Sequence, residues 1–455
     1  ADLGTPFPDP ESPGYYTWTW PSPFPTADPA GKVGPTPDGH LLVFARSDSN
    51  PARLAQGQFL KDCLETALPA MTVALGVAPP GSLGVKIHVD LYNVGRPVTS
   101  VTVMREYWFH YYSGGWGLNR DPDFLQYYTT GQIIKPLPQA HNYPCYSNPA
   151  FDAEVDAMLS SPAIGSPLNP SDGVYHAYAA QQIFMSEAGI IPVWTYAGYK
   201  AYLANWRGVV NQIGFGTNSW WTFLNAHKLG SNCGDVIKYG WQGDIVSLNI
   251  IGSTWLWDSF VEGEIYDSLI AVNPYNMAQD LSYITNGWTI GTWAGPGGTA
   301  TMLTFNIREA VYWQAVPFKY RSAITVGNTH AIDGPFTNVQ LTPIDVAFSF
   351  EYQRDNPGAN SAYLMDNLDH AELSPEWAAM WPSVAPLWYV GTGLPPWQSN
   401  FVVPNAALDN SGEIVVKLTT FMPWLGLHRI GGVPIIPMHL WSAIGIIGSE
   451  SIAVD

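Results

Sequence analysis

From residue 40 onward the chain alternates between structural periods. Leu41–Ala45 is a short apolar strand pattern, residues 52–76 carry a helical one, and Val85–Tyr92 returns to a strand. No other feature restricts the fold as much, because strand, long helix and strand in succession build an α/β lobe. Helices are expected over 97–112, from Val98, Val101, Met104, Arg105 and Trp108, and over 151–160 and 173–188. A second strand-to-helix passage lies far downstream. Leu303, Phe305 and Ile307 alternate as a half-buried strand does, and after a polar turn Thr342 suits an N-cap. Pro343 fits the first helical position, Asp345 the first turn, and Val346, Phe348 and Phe350 follow. Residues 293–301 have the composition of a hairpin loop.

Residues 1–37 hold Pro6, Pro8, Pro10, Pro21, Pro23 and Pro25 and read as an extended arm. At 228–240 Gly230, Ser231, Asn232, Cys233 and Gly234 interrupt the pattern, so the chain is expected to divide there. Three segments follow: 1–37, 38–227 and 228–455. A length of 455 residues implies two or three lobes, and a 46% hydrophobic fraction is enough for large cores.

Only 12% of residues are charged, against 20 tryptophans and 24 tyrosines. That balance suits a loop-rich extracellular protein with aromatic surfaces. The net charge of −18 argues against nucleic acid or an anionic membrane as a direct partner. No run of 18 apolar residues occurs, so the chain is expected to be soluble as it stands. Cys63 lies within the first long helix and reads as a small buried hydrophobe. Cys145 and Cys233 occupy loop-like contexts and can pair as a disulfide. The ten histidines lack metal-ligand spacing, and no nucleophile elbow, zinc-protease, phosphate-loop or dinucleotide motif is present. Neither an enzyme, a metal nor a cofactor is expected.

The downstream passage also carries a pattern. Arg308, Trp313, Asp333, Gly334, Phe336, Thr337, Thr342, Asp345, Val346, Phe348, Ser349 and Phe350 fall where the family-5 extracellular solute-binding proteins carry an early strand, a D-G turn and a "T-x-x-D-V-x-F-S-F" helix start. The region resembles that family, the peptide-capturing components of ABC importers, with an insertion at about 315–332. Ile265-Tyr266-Asp267-Ser268-Leu269 is similar to its "I-Y-D-x-L", and Ile435 to Trp441 to its "I-(I/L)-P-K-H-x-W", with Met438 in place of Lys. Residues 38–227 resemble the family's carboxy-terminal half, through Asp38-Gly39, Gly115-Trp116, Asp121-Pro122-Asp123 and Asn148-Pro149. The two halves therefore stand in inverted order.

The resemblance implies an α/β, two-lobed, three-subdomain periplasmic-binding-protein-like fold with mixed sheets and a hinge, its inserted subdomain at about 270–400, and strands near 203–215 and over 236–252 that share one sheet. It implies an extracellular, cell-surface or periplasmic protein that closes its lobes on an oligopeptide or oligosaccharide and delivers it to an ABC permease. Ligand-binding residues carried over from it are Trp116, Gly117, Leu118, Asn119, Tyr266 and Asp267. Asn119 departs from the Asp that commonly pairs with a peptide's amino group, a charged bond worth about 1.5–3 kcal/mol. Asp121 and Asp123 read as turn-forming, although Arg120 or Asp121 can compensate for the lost anchor. The alternative function is structural: a solute-binding fold reused as a subunit of a surface layer or filament, self-assembling through the 1–37 arm.

Overall fold

The computed structural model describes residues 7–17, 40–46, 51–95, 109–114, 120–133, 142–188, 190–192, 200–231, 236–240, 243–253, 256–314, 320–321, 331–332, 340–355, 362–373 and 412–441. The chain forms two compact units, residues 1–118 with 141–146, and residues 119–140 with 147–455. The junction expected near 228 falls inside the second.

In the first unit β1 (Phe7–Pro8) and β2 (Tyr16–Thr17) make a small antiparallel hairpin. Strand β3 (His40–Arg46) leads into α1 (Pro51–Asp62), a π-turn over Cys63–Ala67, and α2 (Leu68–Ala74). The chain returns as β4 (His88–Val94), parallel to β3, and β5 (Tyr111–Tyr112) pairs parallel on the other side. Leu41, Val43, Ile87 and Val89 bury one face against Leu60, Leu64 and Leu68, while Phe44 faces Phe109 and Tyr112 on the other. The central strand β3, covered on both faces, is accordingly apolar from Leu41 to Ala45. The π-turn has a local cause. Pro69 has no N–H to donate to Glu65, and the Leu68 N–H reaches back to the Cys63 carbonyl instead. Gly57 lets α1 approach the sheet, since a Cβ there would stand 2.7 Å from the Ala45 Cβ.

The hairpin corrects the expectation of an extended arm, at least over 7–17. Thr17 is fully buried, Asp9 bonds His88 at 2.8 Å, and the Tyr16 N–H donates to the Gly84 carbonyl. Tyr111 and Tyr112, expected to end a helix, form a strand because β3 offers them a ladder; most of 97–112 lies outside the described residues.

The second unit opens with a 3₁₀ segment over Pro122–Tyr128, followed by α3 (Pro149–Leu159) and α4 (Gly173–Ser186). Asn148 caps α3 by accepting from the Ala150 and Phe151 N–H groups, and Asp172 caps α4 through the Val174 N–H. Tyr128, Phe151 and Phe184 pack the 3₁₀ segment onto this helix pair. Then come β6 (Trp206–Arg207), α5 (Trp220–Asn225), β7 (His227–Lys228), α6 (Leu256–Glu262), β8 (Ile270–Asn273), β9 (Asn276–Ser282), β10 (Thr285–Gly295) and β11 (Gly298–Ile307). A short hairpin of β12 (Tyr320–Arg321) and β13 (Ala331–Ile332) precedes α7 (Pro343–Asp355), β14 (Leu368–Leu373), β15 (Glu413–Leu418), α8 (Pro423–Gly431) and α9 (Met438–Trp441).

The main sheet is antiparallel in the order β10-β11-β15-β14. Leu303, Phe305 and Ile307 meet Ile414, Val416 and Leu418 on its inner face, and Val346, Phe350, Leu425 and Ile430 close over them. The expected helix start is present. The Asp345 carboxylate takes the Thr342 N–H at 2.9 Å, half of a capping box, and also the Met438 N–H at 3.0 Å. Burial is the first influence on Asp345, and it raises the pKa to about 6 against these hydrogen bonds.

The strand expected over 236–252 is absent among the described residues, and the one near 203–215 shrinks to Trp206–Arg207, paired with β7. The reason is a competing carboxylate. Asp258 takes the N–H groups of Val246 (2.7 Å) and Ser247 (3.0 Å), donors that a ladder would need. The architecture is thus mixed α/β, a parallel three-stranded sheet in one unit and an antiparallel four-stranded sheet in the other.

Candidate ligand-binding site

Of the residues implicated by sequence, Trp116, Gly117, Leu118 and Asn119 lie outside the described residues. Tyr266 and Asp267 are described. They follow the turn that ends α6, and their backbone is tied to the segment before α9. The Ile435 N–H donates to the Asp267 carbonyl at 2.8 Å, and Ser268 bridges to Pro434. Leu269 and Ile270 then drop into the core, which leaves Tyr266 half-buried and Asp267 exposed.

Around Asp267 a second carboxylate and several aromatic rings gather. Partial burial, and then the charge of Asp267, push Glu264 up to about 7. Asp267 is also raised, by the protein crowding one side of an otherwise exposed group. Burial raises the Tyr283 phenol; Asp267 adds to that and Arg308 opposes it. The Trp220 ring stands edge-on to Tyr283, with centroids 4.6 Å apart, and to Trp221 at 4.8 Å. Trp221 is fixed by its Nε1–H, which donates to the Val272 carbonyl at 2.9 Å. Arg308 holds the start of β10 through the Thr285 and Ser282 carbonyls. Acceptors beside aromatic faces suit ammonium and hydroxyl groups. Near neutral pH Glu264 can also donate, as a neutral acid.

A denser polar cluster in the same unit was not anticipated. The Arg120 Nη1 donates to the Met277 carbonyl at 3.1 Å, and its Nη2 pairs with Asp280. His428 on α8 faces Asp121 with Nδ1 at 2.8 Å and Asp280 with Nε2 at 3.1 Å. Next to it Arg429, 5% exposed, pairs with Asp123 at 3.6 Å and bonds the Gln126 amide oxygen. Asp121 and Asp123 are therefore charge partners of α8, where the sequence suggested turn residues. Burial pushes Asp123 up, with Arg429 opposing and Asp121 reinforcing. Burial also pushes Asp280 up, but hydrogen bonds and charge from His428 and Arg120 outweigh it and leave it lowered. One signal in the sequence could have found the cluster: His428-Arg429 interrupts an otherwise apolar helix, and buried charges require partners.

No family model, curated protein or solved structure matches the chain. Among the described residues no group of three or more His, Cys, Asp or Glu could hold a metal ion, and no helix is long and apolar enough to cross a membrane. Cys145 is an exposed free thiol at φ 52°, and the partner suggested for it, Cys233, lies outside the described residues.

Proposed function

We propose that the chain is an extracytoplasmic solute-binding protein that captures an oligopeptide or similar oligomer by lobe closure and hands it to an ABC transporter. In this reading the fold is two-lobed and periplasmic-binding-protein-like, with a hinge. The observation that carries the proposal is the placing of Tyr266 and Asp267. An "I-Y-D" segment leaves its carboxylate exposed near Tyr283, against which Trp220 and then Trp221 supply aromatic surface. Asp267 favours a ligand with an amino group and offers the negative charge that Asn119 does not, while Glu264, pushed up to about 7, is only partly ionised at neutral pH. Titration calorimetry with a mixed oligopeptide pool and with neutral oligosaccharides tests this. Asp267→Asn should weaken peptide binding roughly tenfold or more, the equivalent of a charged hydrogen bond of about 1.5–3 kcal/mol. Absence of binding to either pool at millimolar concentration would overturn the reading.

The structural-subunit reading keeps one specific support. Val236, Val246 and Leu248 expose apolar side chains on a segment without a strand ladder, the kind of surface that pairs with another copy. It loses another, because residues 7–17 of the arm dock on their own unit. Sedimentation at micromolar concentration separates the two readings: a monomer supports the binder, a growing oligomer the subunit.

A further inference from the structure

A neutral imidazole donates from one ring nitrogen and accepts at the other. His428 faces a carboxylate with both. Asp121 lies 2.8 and 3.0 Å from Nδ1, and Asp280 lies 3.1 Å from Nε2. Ionised carboxylates only accept, so the imidazolium alone satisfies both sides. The three side chains are shielded, at 14% exposure for His428 and 12% for each aspartate. The remaining charges close the set. Arg120 reaches both carboxylates, with Nε 3.7 Å from Asp121 and Nη2 on Asp280. Arg429 turns away to Asp123 and Gln126, and Trp424 sets its ring edge-on to the imidazole at 5.9 Å. With His428 protonated, three cations face three anions. Without that proton the cluster carries a net negative charge, and the imidazole can donate to only one of the two shielded carboxylates.

We propose that His428 is a proton-operated latch that fastens the 120–128 segment to β9 and α8, and that it opens as the pH rises. The elements joined are far apart in sequence, with 307 positions between Asp121 and His428. The direction follows from the charges. Burial disfavours the imidazolium, but the hydrogen bonds to Asp121 and Asp280 outweigh it, so the folded His428 pKa lies above 6.5. Its stabilisation is then fully present below 6.5 and is lost as the pH climbs through the folded value. Asp280 acts at the other end: with its pKa below 3.8, its contribution holds above 3.8 and fails as the pH falls through the folded value. Between these limits the latch is closed. The device stands on the cluster alone and is independent of the ligand proposed above.

The test uses the full chain. The His428 Cε1–H resonance, assigned by its loss in His428→Gln, is titrated by NMR, and amide exchange of 120–128 is followed over the same pH range after correction for intrinsic rates. The expected result is titration above 6.5, with protection of 120–128 falling about tenfold or more through that transition. Asp280→Asn should move both midpoints down together. Titration at or below 6.5 overturns the proposal, and so does protection that stays constant while His428 loses its proton. If His428→Gln does not fold, the Asp280→Asn displacement assigns the resonance, and the wild-type comparison decides.

Discussion

Replacing Glu262 by glutamine should stabilise the second unit, and only above a defined pH. Glu262 and Asp258 stand four residues apart on α6, hence on one face, and like charges at that spacing repel. Asp258 is already committed, accepting from the Val246 and Ser247 N–H groups and from the Ser253 hydroxyl at 2.8 Å. Glu262 is 2% exposed, and its Oε1 is buried with no hydrogen-bond partner among the described residues. Burial first, and then Asp258, raise its pKa from 4.5 to about 7. The folded state therefore favours the protonated acid. Stability present below 4.5 drains away as the pH rises to about 7, and at 1.36 kcal/mol per pH unit the total is roughly 3 kcal/mol. Relaxation of the surroundings and entry of water around the new charge reduce this, so about 1–3 kcal/mol is the expected range. Glutamine removes the ionisation. In urea unfolding followed by tryptophan fluorescence, the variant should gain about 1–3 kcal/mol over the wild type at pH 8 and less than about 1 kcal/mol at pH 5. Other titrating groups cancel in the difference between the two gaps. An equal gap at both pH values, or a variant less stable at pH 8, would refute the reasoning.

Gly57→Ala should destabilise the first unit: the helix-propensity gain of about 1 kcal/mol is smaller than the 1–3 kcal/mol of overpacking against Ala45 and Leu91, 2.7 and 2.8 Å from the new Cβ. A raised melting temperature would show that α1 does not approach the sheet so closely. Asn148→Ala should cost about 1 kcal/mol by orphaning the Ala150 and Phe151 N–H groups, measured as a lower urea midpoint at unchanged slope. Phe305→Ala, which empties a fully buried site on β11, should cost about 3–5 kcal/mol, and a loss under 1 kcal/mol would contradict the core described above.

Much of the local structure was legible in the sequence. The strand at His40–Arg46, the helix from Pro51 and the start of α7 at Pro343 were expected close to where they form, whereas the loop expected over 293–301 is a turn at 296–297 flanked by the paired ends of β10 and β11. Each is specified by neighbours: alternation sets a strand, and Thr342, Pro343 and Asp345 supply a cap, a fixed φ and a first-turn carboxylate within four positions. The resemblance misled over 236–252, where the family's opening strand was expected. A strand needs a partner, and Asp258, from α6, took the backbone donors instead.

The candidate site divides in the same way. Tyr266 and Asp267 were named from their motif, yet nothing in that motif told that Glu264 would be pushed up to about 7 or that Trp220 would lie against Tyr283. Asp121 and Asp123 carried a turn signal and a family motif, neither of which pointed to α8, and His428 and Arg429 only an interruption in an apolar helix. Folding made them partners. The sequence by itself determined which backbone segments could become strand, helix or cap, because those choices depend on side chains a few positions apart. Tertiary structure alone decided which charges share a buried volume, because desolvation and Coulomb attraction depend on distance through space, and that distance is set only once the sheet and helices have packed.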